Sequence, residues 1–317
     1  ENTIRARKRP IEPEAVRIDP EPTLGQKYIE FLMSRFPAET PVRKIKMALD
    51  CSNGASSALA PYIFQMLGFD VMAIHVSPDG KNINAGCGSL YPEGLARMVA
   101  ENDADLGVAY DGDADRAIWI DERGRILNGD HTLFVQCRFM KERGRLKSES
   151  VVATTMSNMG LEKALEDMNL RLIRTKVGDR FVLERMIESG ANLGGEQSGH
   201  TIFLDDCPTG DGILTSIRMA EVMTVKGASL SELVEDFHEY PQVLLNVPVS
   251  RRDDFEQYPE IMNTIEKIEN QLENNGRFNL RYSGTEPLAR IMVEGQDRQQ
   301  LEEMARDLAR VLSKHLG

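Results

Sequence analysis

Cysteine is scarce in this chain: four in 317 residues, at Cys51, Cys87, Cys137 and Cys207. They are scattered and lack the close pairs of a zinc ribbon or a thioredoxin-like motif, so they read as reduced thiols of a cytoplasmic protein. No uninterrupted apolar run reaches the roughly 18 residues that mark a membrane-crossing helix, and no secretory leader is expected, which argues against a membrane partner. Positive charge is outnumbered. With 38 Lys+Arg against 50 Asp+Glu, the net charge of -12 would not repay displacing counterions along a nucleic-acid backbone. Nucleic acid is thereby excluded as a general partner, but a small anionic substrate held by a few local arginines is not. Trp119 is the single tryptophan, and its alternation places it inside a strand core. The 15 methionines are spread through apolar positions and serve packing.

What is present suits a globular protein of two or three domains, with 41% hydrophobic and 28% charged residues. The opening run, ENTIRARKRPIEPEAVRIDPEP, is charged and broken by proline, and reads as the inside of a longer chain. TLGQKYIEFLMSRFP then predicts a helix ending near Pro37, and KIKMALD, from Lys44 to Asp50, a buried strand. A helix over ASSALAPYIFQMLG follows, with Pro61 near its start or at a kink, and then the strand FDVMAIHV. PEGLARMVAENDA, with Pro92 in its first turn, and DLGVAYD continue the alternation, which implies a mainly parallel sheet covered by helices. The order strand, Ser-Asn, glycine, helix, strand recurs from Ser52-Asn53-Gly54 to Ser157-Asn158-Met159-Gly160, the pattern of a duplicated unit. Past Pro241 the texture becomes strand, helix, strand, strand and a final amphipathic helix. The expected fold is therefore α/β: two tandem mixed-sheet units at 24–125 and 126–238, then a small α+β domain at 239–317. Residues 1–23 form a tail or linker.

Three loops could carry chemistry. In GVAYDGDADRAIWID, Asp111, Asp113 and Asp115 alternate just past a strand, at the edge where α/β proteins place ligands. Carboxylates this close repel one another unless a cation neutralises them, and hard oxygen ligands in a compact loop suit magnesium. A calcium-binding hand is a poorer fit, because Arg116 stands where that loop needs glycine and the flanks are strands. A phosphatase using Asp111 as nucleophile is the more serious rival. The second loop, NLGGEQSGHTIF, presents Glu196, Ser198 and His200 to one ligand, with Gly194 and Gly195 allowing a tight turn before them. The third, LRYSGTEPLAR, brackets Ser283, Gly284 and Thr285 between Arg281 and Arg290, a cradle for one phosphate. In TKVGDRFV, Lys176 and Arg180 flank Gly178 and could face a second anion, while Asp179 is expected to cap a helix. Asp211, in PTGDGILTS, is expected to cap another.

In content and in order, LDCSNGA, NINAGCGSLYPE, DGDADR, TTMSNMGL, KVGDR, GGEQSGH, TGDGI and RYSGTEPLAR resemble the α-D-phosphohexomutase family, across nearly the whole chain. The glucosamine-phosphate branch is the nearest. Its members have four domains, and this chain resembles the second, third and fourth with a tail of the first. The resemblance implies magnesium on Asp111, Asp113 and Asp115, with Arg116 beside the active-site phosphate. It implies sugar selection by Glu196 and Ser198, with His200 near the transferred group. Arg281, Ser283, Gly284, Thr285 and Arg290 would grip the other phosphate, and Lys176, Gly178, Asp179 and Arg180 would form the third domain's junction loop. Gly284 favours the glucosamine branch over glucose and mannose mutases, which often carry asparagine there. Tyr282 departs from that branch's frequent proline.

The family's nucleophile is a phosphoserine in a Thr-Ala-Ser-His-Asn-Pro-like loop, and no such stretch occurs here. The implied reaction interconverts glucosamine 6-phosphate and 1-phosphate through a bisphosphate, toward UDP-N-acetylglucosamine and cell-wall precursors. The implied partners are a phosphosugar and the serine-bearing first domain, and a homodimer is left open. This chain alone is expected to be inactive, and a non-catalytic sugar-phosphate-binding fragment is the competing class.

Overall fold

The computed structural model describes residues 21–37, 45–273, 275–284 and 286–317. Nearly all of the opening tail, Lys44 and Thr285 lie outside them. The first helix, α1 (Pro22–Met33), stops short of Pro37. Its end tightens into i→i−3 bonds, from Arg35 N–H to the Leu32 carbonyl and from Phe36 N–H to that of Met33, which turn Phe36 into the core.

The first sheet contains β1 (Lys46–Asp50), β2 (Asp70–Ile74), β3 (Leu106–Tyr110), β4 (Ala117–Asp121) and β5 (Ile126–Leu127), in the order β2-β1-β3-β4-β5. β1 runs parallel to β2 and β3, while β4 is antiparallel to β3. Helices α2 (Ser56–Met66) and α3 (Glu93–Glu101) are the crossovers. Pro61 lies inside α2 rather than near its start. Burial of Ala60, Ile63 and Phe64 holds the helix through the donor that proline lacks. After α4 (Gly129–Glu142), the second sheet repeats the plan. It holds β6 (Ser150–Thr154), β7 (Arg171–Thr175), β8 (Leu193–Gly195) and β9 (Thr201–Phe203), in the order β7-β6-β8-β9. Its crossovers are α5 (Met159–Asp167) and α6 (Asp179–Ser189). β6 is parallel to β7 and β8, and β9 is antiparallel to β8, so β6 to β9 correspond to β1 to β4.

One hydrophobic cluster runs from Leu32 to Phe237 through both sheets, so the two α/β units share a core. Helices α4 and α7 (Gly212–Lys226) are buried on most faces, which explains their lack of a clean polar stripe. Trp119 is fully buried and donates to Thr132 Oγ1 at 2.9 Å. A short helix, α8 (Leu230–Leu233), leads into the last unit, where β10 (Gln242–Pro248), β11 (Arg277–Tyr282) and β12 (Leu288–Glu294) make an antiparallel sheet in the order β10-β12-β11. α9 (Pro259–Leu272) and α10 (Arg298–Leu316) cover it around a separate core.

Candidate active site

β3 is buried along its whole length and delivers Asp111 to the carboxyl edge of the first sheet. The loop to β4 folds back on itself, with Ala114 N–H donating to the Asp111 carbonyl and Arg116 N–H to Asp111 Oδ1. Ala114 takes a left-handed φ of 64°, a conformation uncommon without glycine and often found where function fixes a loop. Two neighbouring turns clamp it. Ala55 N–H donates to the Gly112 carbonyl, and a side chain at Gly54 would sit 2.2 Å from that oxygen. On the other side, Gly212 N–H donates to the Ala114 carbonyl. The SNGA and TGDGI segments therefore shape this loop. Asp211 caps α7 as expected, through Leu214 N–H, and also accepts from the Tyr28 hydroxyl at 2.8 Å.

Oxygens of Asp111, Asp113 and Asp115 lie within 4.8 Å of one another. Burial first, and the Asp115 carboxylate second, push Asp111 up to about 7. Asp115 Oδ1 is buried without a hydrogen-bond partner among the described residues. The Arg116 guanidinium stands 3.6 Å from Asp111 and 3.7 Å from Asp115, too far for strong pairing, so their negative charge is only partly offset. This donor set fits a small hard cation such as magnesium.

The second loop faces the first. Gly199, at φ 98°, makes the turn between β8 and β9, closed by Glu196 N–H on the His200 carbonyl. Gly194 and Gly195 do not turn the chain. They belong to β8, where added side chains would meet Met186 and the His200 carbonyl, so close packing is what they permit. His200 is 2% exposed, neither ring nitrogen has a hydrogen-bond partner among the described residues, and Nε2 is 3.6 Å from Asp115 Oδ2. Burial lowers its pKa from the ordinary 6.5, which keeps the ring neutral near pH 7. Glu196 Oε1 accepts from Gly178 N–H at 3.0 Å, joining the junction loop to this site. Asp179 is the first residue of α6 and not its N-cap, a place taken by Gly178 at φ 131°. Lys176, Asp179, Arg180 and Ser198 are exposed, and Arg180 pairs with Glu184 along α6.

The third loop sits on the last sheet. Arg281 and Arg290 are directly opposite each other across β11 and β12. Like charges so placed repel unless an anion lies between them. Arg290 also pairs with Glu286 at 2.8 Å, yet its Nε is buried without a hydrogen-bond partner among the described residues. Ser283 is buried, with Oγ accepting from Glu286 N–H, while Gly284 is exposed. Met156, from the loop after β6, joins both arginines in lining a cleft of about 140 Å³.

Two buried carboxylates that carry no motif tie these regions together. Asp130 Oδ2 accepts from Asn158 N–H at 2.8 Å and from Gln197 Nε2 at 3.2 Å. Burial pushes Asp130 up to about 6. Glu294 accepts from Met159 N–H at 2.9 Å and from Arg277 Nε at 2.7 Å, while Arg277 also donates to the Ser157 carbonyl at 2.7 Å. The only hint of Glu294 in the sequence is an acid closing the apolar strand ARIMVE; Asp130 offers none.

Comparison with known proteins agrees with this layout. Models of the phosphoglucomutase/phosphomannomutase family match alpha/beta/alpha domain II at residues 26–124, alpha/beta/alpha domain III at 128–240 and the C-terminal domain at 244–311. The phosphoglucosamine mutase of Syntrophotalea carbinolica is 47% identical over 293 residues, 92% of this chain and 64% of that protein. That of Geotalea daltonii is 47% identical over 303 residues, 96% of this chain and 66% of its own. The chain thus spans a little less than two thirds of these relatives. Among solved structures, Aspergillus fumigatus N-acetylphosphoglucosamine mutase, in complex with GlcNAc-6P and magnesium, shares the fold at a TM-score of 0.74 and 21% identity, covering 91% of this chain and 70% of that one. A phosphoglucomutase/phosphomannomutase family protein from Burkholderia thailandensis gives 0.74 and 21%, covering 92% and 64%. With its three domain types in family order and close relatives along nearly its whole length, the chain belongs to the phosphoglucomutase/phosphomannomutase family.

Proposed function

We propose that this chain supplies the metal loop, the sugar loop and the distal-phosphate grip of a phosphoglucosamine mutase. The observation that carries the reading is the pairing of the aspartate loop with His200, in a chain 47% identical to curated phosphoglucosamine mutases. Asp111, Asp113 and Asp115 would hold magnesium, which when bound offsets negative charge on the transferring phosphoryl group. Arg116, held beside that loop, would bind an oxygen of the same phosphoryl group. Neutral His200, with Nε2 3.6 Å from Asp115 Oδ2, would hold or pass the proton of the sugar hydroxyl. Glu196 and Ser198 would accept and donate to sugar hydroxyls. Arg281 and Arg290 would clamp the phosphate that stays on the sugar, which requires the sugar to turn around between half-reactions.

The nucleophile in this reading is a phosphoserine on a preceding domain of the same protein. A phosphatase built on Asp111 is disfavoured, because Asp111 is one of three carboxylates gathered at one point and its Oδ1 already accepts from Arg116 N–H, an arrangement that suits a cation cradle. The test is a mutase assay on the chain joined to its serine-bearing domain, with magnesium and glucosamine, glucose or mannose 6-phosphate. Fastest conversion of glucosamine 6-phosphate to the 1-phosphate supports the reading. Preference for another sugar overturns the branch, and phosphate release without isomerisation overturns the mutase.

A further inference from the structure

Asp50, His75 and Cys87 come from three separate segments to one point at the carboxyl edge of the first sheet, and the phosphosugar reading uses none of them. Asp50 ends β1, His75 follows β2, and Cys87 precedes the 3-10 turn Gly88–Leu90. One ligand atom from each lies within 4.8 Å of the other two. Asp50 is 1% exposed and firmly set: Oδ1 accepts from Ser52 N–H and Oδ2 from Gly88 N–H, both at 2.9 Å. Its remaining capacity faces His75 Nδ1, also at 2.9 Å. The Cys87 thiol is 1% exposed and has no hydrogen-bond partner among the described residues. His75 is 39% exposed, so the cluster opens to solvent on one side.

We propose that these three side chains form a second cation site, for a borderline-soft divalent metal of the zinc type. Sulfur, nitrogen and oxygen donors together select such an ion, whereas the three carboxylates around Asp111 select a hard one. Tetrahedral bonds of about 2.0–2.1 Å to nitrogen and oxygen separate those two atoms by roughly 3.3 Å, so the His75–Asp50 contact need open only slightly. The thiol proton leaves to solvent as the sulfur–metal bond forms, and thiolate and carboxylate then balance the dication. Water would take the fourth position through the open side of His75. The ion would pin β1, β2 and the loop ending at Cys87. That pin lies directly behind the aspartate loop, because Ser52 Oγ donates to the Tyr110 carbonyl, and a side chain at Gly88 would sit 2.4 Å from the same oxygen.

The test uses the whole chain, stripped with chelator and titrated with cobalt(II) while excess magnesium fills the aspartate loop. One equivalent should bind with a thiolate-to-cobalt charge-transfer band in the near ultraviolet, and zinc should displace it. Cys87→Ser should lose the band, and His75→Ala, at an exposed position that leaves the Asp50 backbone contacts in place, should weaken binding by roughly tenfold or more. Asp113→Asn should keep the band. Absence of a thiolate band in the unsubstituted chain, or an undiminished band in Cys87→Ser, overturns the proposal.

Discussion

Arg116 and His200 occupy the same place in two successive α/β units, each just before the fourth strand of its sheet, and they pair with each other in an antiparallel bridge. Ala117 N–H adds a bond to the Gly199 carbonyl. The bridge sets the loop after β3 against the loop after β8, so a carboxylate cluster from one unit meets an imidazole from the other. Neither unit contains both halves of that site.

Gly210 leaves the space in which the His200 ring lies, since a side chain there would fall 2.3 Å from Nε2. Gly210→Ala should therefore move the imidazole and lower kcat/KM of the complete enzyme on the order of 100-fold. Overpacking this buried ring should also cost about 1–3 kcal/mol of stability, so the rates are compared at a temperature where both proteins are folded. Full activity in this variant would remove His200 from the chemistry.

Asp113 is the exposed member of the aspartate trio. Asp113→Asn should raise the magnesium concentration needed for half-maximal activity by roughly tenfold or more, with stability unchanged. A magnesium titration of the initial rate reads this directly, and an unaltered midpoint would place the metal elsewhere.

The repulsion between Arg281 and Arg290 makes a stability prediction as well as a kinetic one. Arg281→Ala should leave the unliganded chain as stable as before, or slightly more so, and should raise KM for the phosphosugar by roughly 10–100-fold through loss of charge-assisted bonds. Inorganic phosphate should raise Tm of the unsubstituted chain more than that of the variant. Equal phosphate shifts would mean that the two guanidiniums do not share an anion.

Asp130 should make stability depend on pH. A carboxyl whose folded pKa is raised, here from 3.8 to about 6, binds its proton more tightly folded than unfolded. Its contribution is fully present below pH 4 and is lost as pH rises through 6, a change of about 3 kcal/mol. Asp130→Asn cannot ionise, so the stability difference between the two proteins should shift in favour of the variant across that window. Urea unfolding at pH 4.5 and 7 measures it, and a constant difference would show that Asp130 titrates normally.

Glu294 joins the last unit to the start of α5 by accepting from Met159 N–H, and it holds Arg277, which donates to the Ser157 carbonyl in the loop after β6. Glu294→Ala strands a partly buried guanidinium and a backbone donor, and should cost about 3–5 kcal/mol. Urea unfolding, with hydrogen exchange at Met159, should show the loss concentrated at this contact. A cost below about 1 kcal/mol would make the pair incidental.

The sequence by itself determined the fold class, the repeated strand–helix order and most of the segments that compose the site. Those readings rest on local causes: apolar periodicity, proline and glycine placement, and runs such as DGDADR whose carboxylates are neighbours in the chain. Family membership was legible for the same reason, in ordered motifs. Tertiary structure alone decided which loops meet. It set His200 against Asp115, put Arg281 opposite Arg290, and turned Gly194 and Gly195 from turn residues into close-packing ones. It also revealed Asp130 and Glu294, single acids without a pattern, and gathered Asp50, His75 and Cys87 from separate segments. A pairing between distant residues depends on strand register and on how two sheets face each other, and neither leaves a periodic trace in the chain.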